Sequence, residues 1–160
     1  MIAHDDEGQT RKGSGARYWV HPQGVADLLQ GYGVTDDTIL CAAEIHDCVE
    51  DTAVTIDDIV ELLDEKVAEL VSEVTNSPDL DGLEKEEYMS RKLVNLTDDA
   101  LTIKLGDMIY NTLDNPKKDQ IERMKKNLEY LQHHRQIRKQ LHRDLIETFY
   151  EAYKSKIKKF

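Results

Sequence analysis

Four side chains able to bind a metal ion or carry a proton, His46, Asp47, Glu50 and Asp51, fall within six residues in the run HDCVEDT. If the apolar segment before them, Thr38 to Ala43, is a helix, Asp47 lies beside His46. Glu50 and Asp51 then return to the same side one turn later. Two further candidates stand far off in the chain. His21 precedes Pro22, and Asp107 is set among Leu105, Gly106, Met108 and Ile109, where a carboxylate is costly to bury unless a cation or strong hydrogen bonds compensate. His21, His46, Asp47 and Asp107 make a set of two imidazoles and two carboxylates. That set suits Mn²⁺, Fe²⁺ or Zn²⁺, with Mn²⁺ our choice, and leaves positions for water and substrate. A bound divalent ion acidifies its water and polarises a phosphoryl oxygen, so the chemistry indicated is hydrolysis of a phosphate ester. Glu50 and Asp51 are then the catalytic pair that handles protons and orients water. Without a metal, the same residues read as a charged helix end.

The ligand is indicated by a second stretch, GQTRKGSGARYW at residues 8–19, which concentrates Arg11, Lys12 and Arg17 among glycines and two aromatics. Guanidinium groups fork onto phosphate or stack on a base, so this loop suits an anionic ligand with a flat ring, an ordinary surface turn being the plainer reading. Positive charge is otherwise scarce at this end. Residues 1–116 carry 8 Lys and Arg against 26 Asp and Glu, whereas residues 117–160 carry 13 against 6. In that basic portion the cations alternate with Glu and with an apolar stripe, which fits a solvated helix face packing back on an acidic body and not a nucleic-acid surface. No run of 18 apolar residues is present to span a membrane, and the acidic start MIAHDDEGQT lacks a secretory pattern. A cytoplasmic protein is expected. Cys41 and Cys48 lack zinc-module spacing and read as reduced packing residues.

The elements that must position these groups are helical. We expect an all-α fold of about 7–9 helices with no significant sheet, forming a single domain over 1–160, with helices at about 117–158 packing on the catalytic core. Pro22 opens a helix that Gly31 and Gly33 end, and Thr35 or Asp36 caps the helix leading to His46. Thr55 starts another, with Ile56, Ile59, Val60 and Leu63 as its apolar side; a helix at about 65–75 follows and stops at Asn76-Ser77-Pro78. A polar helix around Glu84–Leu93 places Tyr88, Arg91 and Lys92 toward the site or toward solvent. Residues 97–114 form a capped, buried helix with Lys104, Asp107 and Asn111 on one stripe. The last two stripes are Ile121, Met124, Leu128, Leu131 and Ile137, Leu141, Leu145, Phe149.

In family order, AH…GQTRK, G-x-x-Y-x-x-HP at Gly15–Pro22, Val25-Ala26, AA-x-x-HD-x-x-EDT at Ala42–Thr52, EVT at Glu73–Thr75 and IKLGD-x-x-x-N at Ile103–Asn111 resemble the HD-domain hydrolases of the RelA/SpoT type. Within them, the chain resembles in particular the small stand-alone alarmone hydrolases. That resemblance covers about two-thirds of the chain, and the combination of HD-x-x-EDT with both flanking motifs is its specific part. It implies an all-helical fold with one Mn²⁺ on His21, His46, Asp47 and Asp107, and Glu50 and Asp51 as catalytic carboxylates. It further implies Arg11 and Lys12 near a guanine base and Asn111 near the ribose. The implied reaction is attack of metal-activated water on the 3′ phosphorus of ppGpp or pppGpp, with pyrophosphate released, giving GDP or GTP. Lys104 and Arg17 are then cations that meet the developing charge. Arg17 stands where the family has Pro, Asp114 replaces a Thr, and the chain begins almost at the AH motif. The start at the AH motif leads us to expect a shortened first helix, and the length of the chain leads us to expect no synthetase domain. A metal-dependent nucleotide phosphatase with another substrate, such as NADPH or an adenine alarmone, is the second reading. A non-catalytic nucleotide-binding module is the third, and it is disfavoured because Glu50 and Asp51 are both present.

Overall fold

Asp36 shows how this chain starts a helix. Its carboxylate accepts from the Thr38 N–H at 2.8 Å and from Ile39 at 3.4 Å, filling donors that the first turn leaves open. The structure, a computed structural model, describes residues 20–46, 55–62 and 64–160. These contain eight α-helices and no strand: α1 Val20–Gly31, α2 Asp37–Ile45, α3 Ile56–Leu62, α4 Glu65–Val74, α5 Lys85–Asn95, α6 Asp98–Leu113, α7 Lys118–His134 and α8 Gln140–Ile157. The chain divides into two compact units, Met1–Asn76 and Ser77–Phe160.

In the first unit α1 packs on α2, and α4 packs on both α2 and α3. Gly33 ends α1 in a left-handed conformation at φ 91°. There the Val34 N–H reaches Leu29 O at 3.1 Å and the Gly33 N–H reaches Gln30 O at 3.0 Å, the paired bonds of a Schellman stop. Thr55 and Asp58 cap α3 reciprocally: the Asp58 N–H donates to the Thr55 hydroxyl at 3.1 Å and the Thr55 N–H to the Asp58 carboxylate at 2.9 Å. Val25, Leu29, Ala42, Ala43, Val67 and Val71 form the core. Val60, expected on the apolar side of α3, is instead 45% exposed; α3 spans only seven residues, and a stripe that short does not fix which of its edges is covered.

In the second unit α6 packs on α8, α5 on α7, and α8 also on α7. Polar groups fix these seams. The Asn127 amide donates from α7 to Glu86 O and to the Ser90 hydroxyl, both at 2.9 Å. The Arg135 guanidinium closes the end of α5, donating to the carbonyls of Leu93 at 3.0 Å and Leu96 at 2.7 Å, and it pairs with Asp98 at 3.1 Å. Buried His142 shares a hydrogen bond between its Nε2 and the Thr102 hydroxyl at 2.8 Å, joining α8 to α6. Ile137, expected on the last stripe, falls in the link before α8, and Ile146 is buried in that helix instead. Tyr88 is buried, its hydroxyl accepting from the Ser77 N–H at 2.8 Å, while Arg91 faces solvent and pairs with Glu87. Among the described residues no helix is long and apolar enough to cross a membrane.

Candidate metal centre

His46 stands at the C-cap of α2, with φ −59° and ψ −24°, and only 4% of it is exposed. Its Nδ1 lies 2.6 Å from the carbonyl of Ala43, one turn back. A carbonyl only accepts, so Nδ1 carries the hydrogen, and in the neutral ring Nε2 is the basic nitrogen. This is how proteins fix the tautomer and direction of a metal-binding imidazole. The spacing within HDCVEDT does not disclose this partner; a carbonyl three residues upstream at a helix end is the local signal for it. Cys41 lies on the same helix, half-buried. Burial first, then the Glu44 and Asp64 carboxylates, push its thiol above its ordinary value, so it stays protonated and is a poor ligand or nucleophile.

On α6 the expected stripe is present. Lys104, Asp107 and Asn111 follow at intervals of three and four, which places them on one face of a helix that Thr97 caps. Asp107 is 8% exposed, and the Lys104 ammonium lies 3.6 Å from its Oδ2. Both side chains are largely withdrawn from water, so the cation balances a carboxylate that burial would otherwise disfavour. Asn111 is half-buried. Gly106, beside Asp107, is buried too.

Of the expected ligands, His46 belongs to the first unit and Asp107 to the second. His21 lies in the first turn of α1, where its backbone alone is described. Asp47, Glu50 and Asp51, and the loop cations Arg11, Lys12 and Arg17, lie outside the described residues. Among the described residues no group of three His, Cys, Asp or Glu side chains gathers. The two candidate ligands that are described are of a kind that suits a divalent ion: one imidazole with its tautomer fixed and one buried carboxylate.

The family model of the HD domain matches residues 2–141. The chain belongs to the HD-domain family. Curated relatives of this HD-domain chain include the mouse guanosine-3′,5′-bis(diphosphate) 3′-pyrophosphohydrolase MESH1, 38% identical over 116 residues, 71% of this chain and 65% of that protein. Human MESH1 is 38% identical over 101 residues, 62% of this chain and 56% of that protein. The bifunctional (p)ppGpp synthase/hydrolase SpoT of Escherichia coli is 36% identical over 118 residues, 69% of this chain and 16% of that protein. The HD-domain chain thus spans 65% and 56% of the length of the first two relatives. Among solved structures, a metazoan orthologue of SpoT that hydrolyses ppGpp matches with a TM-score of 0.73 at 25% identity, over 94% of this chain and 89% of that one. Protein lmo0812 of Listeria monocytogenes shares the fold, with a TM-score of 0.71 at 19% identity over 91% of this chain and 98% of that one.

Proposed function

We propose that this HD-domain protein is a Mn²⁺-dependent hydrolase that removes the 3′-pyrophosphate from guanosine alarmones, acting on small nucleotides in the cytoplasm. The observation that carries the reading is its 38% identity to MESH1 proteins bearing that activity in their name. The fixed tautomer of His46 and the buried Asp107 support it from the structure. On this reading residues 1–160 act as one hydrolase domain, supported by a single family model that runs through both units.

His21, His46, Asp47 and Asp107 hold the metal. A divalent ion there supplies a polarised phosphoryl oxygen and a more acidic water. Glu50 and Asp51 orient the attacking water and take its proton. The water oxygen joins the phosphorus bound to O3′, the P–O3′ bond breaks, the ribose 3′ oxygen takes a proton, and pyrophosphate leaves with the water oxygen. Lys104, already beside Asp107, turns its ammonium to the charge that grows on the phosphate, and Arg17 meets it from the loop. Arg11 and Lys12 hold the base and Asn111 the ribose.

The deciding assay supplies metal-stripped protein with Mn²⁺ and a panel of ppGpp, pppGpp, the adenine analogue and NADPH, with pyrophosphate and orthophosphate measured separately. Pyrophosphate from the guanosine alarmones is expected. Orthophosphate from NADPH with no pyrophosphate from ppGpp would overturn the substrate while keeping the metal chemistry. Asp47→Ala is expected to abolish both metal binding and turnover. Glu50→Gln keeps the metal and loses rate by about 10²–10⁴-fold, and unchanged turnover in either variant refutes the assignment.

A further inference from the structure

The link between α7 and α8 borders a pocket of about 280 Å³, built within the second unit and lined by Asp98, Arg135, Gln136, Ile137, Arg138 and His142. None of these residues belongs to the candidate metal set. Arg135 and Lys139 share one carboxylate, Asp98, at 3.1 and 3.8 Å, and that side chain is 53% exposed. Arg138 lies on the same wall, and among the described residues its guanidinium has neither carboxylate nor hydrogen-bond partner. The pocket wall thus carries two arginines against one carboxylate, which Lys139 also pairs with, so positive charge is in excess at a concave, polar site.

The wall is held from both sides. Arg143 donates to the carbonyls of Ile137 and Arg138 at 2.8 and 3.0 Å, while Arg135 is fixed to the end of α5. A loop tied in this way does not have to be ordered when a ligand arrives, which lowers the cost of binding. Guanidinium forks match phosphate oxygens in shape as well as charge. We propose that this pocket binds the phosphate chain of a free di- or triphosphate, inorganic or carried by a nucleotide.

Isothermal titration of the metal-free full chain at low salt, with pyrophosphate and separately with GDP, tests this. Saturable binding is expected, weakened about tenfold by Arg138→Ala, a loss of one charge-assisted contact, and unchanged by Asp47→Ala. Because Arg138 is exposed, its variant should keep the wild-type melting curve. Equal affinity for the two ligands assigns the site to the phosphate chain alone, and preference for GDP extends it to the nucleoside. The proposal is overturned if neither ligand saturates in the millimolar range. It is equally overturned if Arg138→Ala binds as tightly as wild type, or if Asp47→Ala removes the binding, which would place both ligands at the metal centre.

Discussion

The Nδ1–H of His46 is spent on a backbone carbonyl, and the Asp107 carboxylate sits against an ammonium. Each group is thus held by a neighbour on its own helix. The second pairing has a measurable consequence. Lys104→Met leaves a buried carboxylate without its nearby cation and should cost the metal-free protein about 2 kcal/mol. Added Mn²⁺ should return more stability to that variant than to the wild type in denaturant titrations, and equal recovery would separate Asp107 from the metal. His142 offers a different test. Burial above all holds its pKa below the ordinary 6.5, against the opposing pull of Asp98. The unfolded chain therefore binds the proton more readily, so stability contributed by the neutral ring is complete above about 6.5 and is lost as pH falls from there toward the depressed folded value. His142→Asn should flatten the stability profile in that window; an unchanged slope between neutral and mildly acidic pH would show that another group is responsible.

Elements differ in how much of them could be read from the chain alone. The helix starts near Asp36, Thr55 and Thr97 were legible because a cap acts on residues two or three positions away, and the structure decides between Thr35 and Asp36 in favour of Asp36. Asp36→Ala should cost about 1 kcal/mol and lower the melting temperature by a few degrees, with metal affinity retained if α2 still forms. The stops were equally local: Gly33 at a left-handed position and Pro78 after Ser77. What the sequence did not disclose are the polar ties between helices distant in the chain. Arg135 was counted as one more charge on a solvated face, yet it closes α5 from 39 residues away. Arg135→Lys keeps the charge but cannot reproduce the fork, and a loss of about 1–3 kcal/mol is expected by chemical denaturation. The misplaced Val60 and Ile137 have the complementary cause. An apolar residue at helical spacing says that a face exists, and only the neighbouring element decides whether that position is covered. The candidate site divides along the same line. Lys104, Asp107 and Asn111 share one face of a helix, as their spacing implied, whereas His46 and Asp107 lie in different units and no local spacing relates them.

Over the whole molecule, two compact units carry what one family model treats as a single domain. If residues 1–160 work as one domain, calorimetry should show a single transition whose calorimetric and van't Hoff enthalpies agree. Two resolved transitions would instead mean that the units unfold independently. Metal binding adds its free energy to whichever unit keeps its ligands in place, so the melting temperature should rise with Mn²⁺ concentration. The position of His46 gives that linkage a local reporter. Its ring is bonded to the last turn of the helix that carries it, so whatever clamps the ring also clamps the turn. Loading the site should slow hydrogen exchange at the amides of Ala43 to Ile45, and a chelator should restore it, which makes the end of one short helix a backbone gauge of how full the metal centre is.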